Sequence, residues 1–370
     1  MRNVSVDMPI SAEKTKRFFW LDMLRAFSIL LVVVIHVSAQ NFYKTPVSST
    51  RWVSFAFYDC FAHIAVPLFV MISGALFLNK DRKIDVKKLY SKNILRICTA
   101  FIFWSLINIA DIILNTYIDQ GNLTGIDTKK IIGTFITGSS VMWFIFMIVG
   151  LYIITPLLRR ITSNGNYTLY FIVLWFIMGS VIPAVFELCK LREWDYVSYF
   201  SSAYSKMHFT FALEFSGYYV LGHYLFKNDF SKSKRMLIYG LGFLGAVFCV
   251  LITVIVSQSR DKAYVYFINS YIAPNLVLAA SGAFVFFKYE LSVINLPSFC
   301  RKFINSVSAC SFGIYLIHMF ILNWLERAGF TSRSFVGWLC VPALTGVVFL
   351  ISYIIVLIIS KIPFFNKYII

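Results

Sequence analysis

Stretches of about 18 or more apolar residues, long enough to cross a hydrocarbon layer roughly 30 Å thick, recur along the whole of this chain. They read at 18–39, 55–78, 94–118, 141–158, 167–187, 208–226, 236–256, 264–287, 304–325 and 335–360. Backbone N–H and C=O groups in lipid must satisfy one another, so segments of this length cross as helices. The expectation is an all-α fold: a polytopic membrane bundle of about ten transmembrane helices. Composition agrees, since 59% hydrophobic and 14% charged residues in a chain of 370 leave too little polar surface to cover a soluble globule.

The formal net charge of +17 raises the question of nucleic acid, and its distribution answers it. With the N-terminus placed inside, the inner segments (the N-terminal tail, 79–96, 159–160, 227–235, 288–302 and the C-terminus) hold 22 Lys and Arg, the outer loops 11. That bias is a topology signal; it predicts cytoplasmic N- and C-termini and no nucleic-acid partner. The expected organisation is a cytoplasmic tail over 1–17, one membrane domain over 18–361 and a short cytoplasmic tail over 362–370.

Phe18 to Ala39 could be read as a signal peptide, because Val37, Ser38 and Ala39 resemble a small-residue cleavage site after a basic region. The run is long for that, and a discarded segment has no reason to carry Asp22, Arg25 and His36. The seven cysteines are odd in number and never spaced C-x-x-C, so they read as small buried hydrophobes, with neither a disulfide framework nor a metal site. The longer outer loops, near 40–54, 119–140 and 188–207, mix polar and aromatic residues. Trp194, Tyr196, Tyr199, Phe200 and Tyr204 in the last are either sugar-stacking rings or an interfacial aromatic belt.

Arg25 and His36 lie in the first apolar run, eleven residues apart. At about 100° per residue that step makes three turns plus roughly 20°, so both side chains leave one helix face about 16 Å apart along the axis. An ionisable group in a spanning helix faces a bundle interior or a wet cavity and is a functional candidate by default. Depth sorts the other titratable groups. His36, Asp59, His63, Glu214 and His318 fall in the outer third, with Asp59 and His63 four residues apart on one face; Arg25, Lys92, Arg96, Arg159 and Arg160 fall in the inner third.

This division suits a reaction that draws an anionic, phosphate-bearing donor from the cytoplasm and moves protons nearer the other side. The guanidinium fork binds phosphate oxygens in pairs, and histidine takes and returns a proton near neutrality. The pantetheine arm of a coenzyme A thioester would span the distance between the two groups. Each residue also has a plainer reading. Arg25 could pair with Asp22 or snorkel to headgroups, His36 and His318 could be packing histidines, and Asp59 could simply bond His63. Glu214 and Asp111 could pair with a neighbouring cation, while His63, His208 and His223 read first as structural.

Four motifs, in order, add a family. These are Arg25 through His36 as R-x10-H, Val66-Pro67-Leu68-Phe69-Val70-Met71-Ile72-Ser73-Gly74, Trp143-Phe144 followed by Leu151-Tyr152 and Pro156, and Ser311-Phe312-Gly313-Ile314-Tyr315-Leu316-Ile317-His318. They resemble the bacterial acyltransferase-3 family of integral membrane O-acyltransferases, especially the enterobacterial common antigen O-acetyltransferase type. The resemblance implies a multi-pass enzyme of the bacterial inner membrane that moves an acetyl group from acetyl-CoA to a hydroxyl of a cell-envelope sugar or glycolipid, with no metal. It makes His36 the base or acyl relay, helped by His318, Asp59 and Glu214. Arg25, Lys92, Arg96, Ser73, Trp143 and Tyr315 become donor-side residues. Two positions depart from the family pattern: Ile94 stands where a second Arg is common, and His63 where related chains often carry Arg. The expected partners are an acyl-CoA, a lipid-linked or envelope glycan and the bilayer, and acceptor handling beyond the bundle would call on a further protein. A transporter of an envelope glycan is the alternative; it predicts internal repeats and helices interrupted near the midplane, which the sequence does not display.

Overall fold

A computed structural model describes residues 17–79, 85–208, 210–334 and 337–369, so the tail expected over 1–17 lies outside the described residues except for Arg17. The described chain is helical, with no strand among those residues. Eight helical segments are long and apolar enough to cross a membrane: Phe19–Lys44, Thr50–Phe77, Leu89–Gln120, Trp143–Ile161, Gly165–Leu191, Lys232–Ser259, Ser298–Arg327 and Cys340–Ile359. At the two remaining expected spans, 208–226 and 264–287, the structure has the helices Thr210–Lys227 and Pro274–Phe286, which are not among these eight.

The principal helices are α1 (Phe19–Ala39), α2 (Thr50–Ala62), α3 (Ala65–Phe77), α4 (Leu95–Gln120), α5 (Trp143–Ile161), α6 (Gly165–Leu174), α7 (Ile182–Leu191), α8 (Thr210–Lys227), α9 (Lys232–Ser259), α10 (Pro274–Phe286), α11 (Ser298–Arg327) and α12 (Cys340–Ile359). α1 threads two apolar clusters: Trp20, Leu21 and Leu24 pack with Met71, Trp175 and Tyr219, while Ile29, Val33 and Val37 pack with Trp52, Phe55 and Ile314. Beside it α11 runs in the same direction, since Ser308 meets Asp22 near the start of α1 and His318 meets His36 near its end.

Where helices approach closest, the residues are small, as expected where packing rather than water expulsion joins helices in lipid. A methyl group on Gly74 of α3 would run into the backbone carbonyl of Tyr219 on α8, and one on Gly222 of α8 into the backbone of Met71. α9 and α10 meet in the same way at Gly242, Gly245 and Gly282.

Three features differ from the sequence expectation. The second span is not one helix; α2 ends at Ala62, His63 and Ile64 turn, and α3 starts at Ala65. Pro67 is the cause, because it has no N–H for the carbonyl of His63 and its ring crowds that carbonyl, so the first turn of a new helix is where it fits. The span placed at 264–287 begins its helix only at Pro274, again a proline in the first turn, and the preceding residues form a short helix, Tyr266–Asn269, and an irregular connection. In α8, Glu214 leaves helical geometry at ψ −107°, and its carbonyl accepts from the indole N–H of buried Trp175 at 2.8 Å. π-helical turns at Leu89–Ile94, Trp175–Val181 and Phe287–Leu291 relieve three further helices.

Gly74→Ala should destabilise the α3/α8 crossing by about 1–3 kcal/mol as an overpacked contact. Gly240→Ala, which meets nothing within 4 Å, should leave thermal unfolding in detergent unchanged or slightly raised.

Candidate active site

Two polar stations sit along α1. At the first, Asp22 is buried, with 6% of its surface exposed, and its closest bonds are to groups other than Arg25. Arg17 Nε donates to Asp22 Oδ2 at 2.7 Å, and Ser308 Oγ of α11 donates to Asp22 Oδ1, also at 2.7 Å. The Arg25 guanidinium stands 3.9 Å from the same carboxylate and makes one long hydrogen bond, Nη1 to Ser308 Oγ at 3.4 Å. Most of its N–H donors therefore have no partner among the described residues, and its side chain keeps 30% of its surface. The expected i, i+3 ion pair with Asp22 is therefore present but long, and Arg17 makes the closer one.

Ser73 of α3 and Tyr152 of α5 lie near one another, and Tyr152 is within electrostatic reach of the Arg25 guanidinium. Below them Thr155 bonds the Tyr219 hydroxyl at 3.0 Å, and Arg159 caps the end of α3 by donating to the carbonyls of Phe77 and Asn79 at 2.8 and 3.0 Å. This is a polar recess whose Arg25, though paired at long range with Asp22, keeps spare N–H donors suited to an anion carrying several oxygens.

The second station holds three histidines. The rings of His36 and His318 lie with centroids 5.0 Å apart, and His63 is within electrostatic reach of His36. His318 Nδ1 lies 2.7 Å from the Tyr315 carbonyl and 3.2 Å from that of Ile314; carbonyls only accept, so Nδ1 carries the proton. Its Nε2 is then an acceptor, and it is buried without a partner among the described residues. His63 Nδ1 likewise faces two acceptors of Asp59, the carbonyl at 3.0 Å and Oδ1 at 3.2 Å. Ser38 Oγ also approaches Asp59 Oδ1 at 3.2 Å. His36 differs from both: neither ring nitrogen has a hydrogen-bond partner among the described residues, and the residue keeps accessible surface while His318 keeps none.

An aromatic wall that the sequence reading did not single out completes this station. Tyr271, in the connection before α10, stacks against His63 at 5.5 Å, Trp143 against Tyr271 at 5.3 Å, and Phe215 against Trp143 at 5.7 Å. The Tyr218 hydroxyl holds the Tyr271 carbonyl at 2.6 Å. Only Trp143 had a sequence signal, as a motif residue; the rings of Tyr271 and Phe215 look like any of the chain's many aromatics until the fold gathers them.

The structure therefore joins His36, His318 and, through His63, Asp59 in one group, and Arg25 and Ser73 in another. Trp143 belongs to the wall, and the Tyr315 hydroxyl is committed to the Val141 carbonyl at 2.6 Å. Glu214 is exposed and makes no bond to a histidine among the described residues, its carbonyl serving Trp175. Lys92 and Arg96 are exposed on the π-turn and the start of α4, with no ion pair or hydrogen bond to the Arg25 recess. Asp111 accepts from Trp324 Nε1 at 3.0 Å, a neutral partner rather than a cation. Among the described residues no group of three or more His, Cys, Asp or Glu is placed to hold a metal ion.

Comparison with protein families decides the class: the acyltransferase-3 model, described as an acyltransferase domain, matches residues 18–357. The chain belongs to the acyltransferase-3 family. Its apolar helices make it a multi-pass membrane member, with the lipid bilayer and acyl donor and acceptor substrates as the partners that follow. Comparisons with curated proteins and with solved structures gave no match.

Ser308→Ala removes the hydroxyl that links Asp22 to α11 and leaves a buried carboxylate oxygen unbonded. A loss of about 1–3 kcal/mol is expected in thermal unfolding. Ser311→Ala, whose hydroxyl bonds only the carbonyl of Ser308 in its own helix, should cost about 0.5 kcal/mol or less.

Proposed function

We propose that the chain is a bacterial inner-membrane O-acetyltransferase that moves an acetyl group from cytoplasmic acetyl-CoA to a hydroxyl of a cell-envelope sugar or glycolipid. The observation that carries this reading is the pair of uncommitted groups on one face of α1. Arg25 has spare N–H donors in a polar recess, and His36 has two unbonded ring nitrogens beside an aromatic wall. A donor with phosphates at one end and a thioester at the other matches two such stations about 16 Å apart.

In this reading the Arg25 recess, with Ser73 and Tyr152, receives donor phosphates from the cytoplasmic side, to which the basic segments assign that end of the bundle. Lys92 and Arg96 meet the donor at the entrance rather than in the recess. The pantetheine arm runs along α1, and the thioester reaches His36, which acts as base or as acyl carrier. The acceptor sugar approaches from the other end, where rings such as Trp143 and Tyr271 offer faces for stacking. The motif set resembles that of the enterobacterial common antigen type, and acetyl as the group transferred rests on that resemblance. His318 and Asp59 are positioning residues in this scheme, and Glu214 serves the acceptor's path. The break at His63 is a feature also found in transporters of the alternative reading; family membership and its origin in Pro67 favour group transfer.

Membranes incubated with radiolabelled acetyl-CoA test the proposal. Label should enter envelope glycan, fall by about 100-fold or more in His36→Ala as for loss of a proton-transfer or covalent group, and fall mainly through a raised donor KM in Arg25→Lys. Substrate flux in vesicles that needs no acetyl donor, with no label in glycan, would overturn it.

A further inference from the structure

Two imidazoles at the second station are bonded in opposite ways, and the difference bears on which does what. His63 is fixed as a base is fixed. Its Nδ1–H is held by the Asp59 carboxylate and carbonyl, Asp59 is itself buried and bonded by Ser38, and one ring face rests on Tyr271. A carboxylate on Nδ1 selects the tautomer with a lone pair on Nε2 and stabilises the imidazolium formed when that nitrogen takes a proton. The bonds His63 makes are all through Nδ1, which leaves Nε2 without a hydrogen-bond partner among the described residues.

His36 has no carboxylate. Its closest polar neighbour is His318, whose Nδ1–H is consumed by two backbone carbonyls and whose buried Nε2 can only accept. The two rings touch without a hydrogen bond between them, so neither nitrogen of His36 is held by a partner among the described residues and one carries a free lone pair. No anion is there to stabilise an imidazolium. That is the environment of a neutral nucleophile, not of a proton store.

We infer that the two histidines divide the reaction: His36 carries the acyl group, and His63, held by Asp59, takes the proton from the acceptor hydroxyl. The inference rests on the acyl-transfer reading. In the first step the free nitrogen of His36 attacks the thioester carbonyl carbon and the C–S bond breaks. The thiolate leaves as the thiol with the proton that His36 gives up. In the second step the acceptor oxygen attacks the acyl carbon while its proton passes to His63 Nε2. The C–N bond breaks, and the proton on His63 returns to His36, so both rings end neutral and the products are an ester and a free thiol. The arrangement gives a reason for a histidine where related chains often carry Arg, because a guanidinium could not accept the proton.

The experiment uses the full-length protein in its native membranes, radiolabelled acetyl-CoA, and two acceptors: the membranes' own glycan and added hydroxylamine, which needs no base to attack an acyl-imidazole. His63→Gln and Asp59→Asn should take enzyme-bound label to the wild-type extent and release it to hydroxylamine at the wild-type rate. Transfer to glycan should fall by about 100-fold in His63→Gln, the contribution of a general base, and by less in Asp59→Asn. Glycan transfer within about threefold of wild type in His63→Gln, far inside a general base's contribution, overturns the division. So does loss of enzyme-bound label in an Asp59→Asn protein that melts and elutes as wild type. A wild-type protein that takes no label and labels no glycan overturns the acyl-transfer reading itself, a result that cannot be mistaken for the first two.

Discussion

The parallel packing of α1 against α11 is the constraint on which the site depends. It brings Ser308 to Asp22 and His318 to His36 at once, so both stations are built from one helix pair. A carboxylate in the membrane interior needs compensation, and here it receives two hydrogen bonds at 2.7 Å from groups other than Arg25. The guanidinium is left in the field of Asp22 without being spent on it. Charge in the recess is balanced, and a ligand can still find donors.

The second span shows how a local defect serves the same end. Pro67 forces a break that places His63 at a helix end and lets Asp59, one turn earlier, bond its ring. The break lies beside the irregular connection that carries Tyr271, itself ended by Pro274. Two prolines in first-turn positions thus bring non-helical backbone to one end of the bundle, where it is covered by protein rather than by lipid. Irregular backbone, aromatic faces and imidazoles coincide there, and the other end is left to cations and hydroxyls.

Much of the site was legible because helical periodicity is rigid. Arg25 and His36 share a face for the reason that eleven residues are nearly three turns, and Asp59 and His63 bond each other because four residues are nearly one. His318, counted from the start of its span, was expected at the level of His36, and the two rings do lie side by side. Other residues resisted the same counting. Glu214 sits in a first turn whose helical geometry fails, Lys92 and Arg96 sit on a π-turn and its continuation, and Asp111 found an indole rather than a cation. In each case depth was readable and azimuth was not, since a bulge or kink rotates what lies before it.

Apolar length and the spacing of ionisable residues along single helices were decided by the sequence alone: a membrane bundle, two stations on α1, and the family that its motifs resemble and its match to residues 18–357 shows. Which partner each charge takes was decided only by the tertiary structure. That Ser308 bonds Asp22, that His318 comes beside His36, and that Tyr271 and Phe215 join Trp143 are facts about distances between different helices and connections. Spacing along one helix is set by covalent geometry and backbone hydrogen bonds within about a turn. Contacts between helices are set by the packing of small residues such as Gly74 and Gly222, and one-dimensional order carries no measure of that.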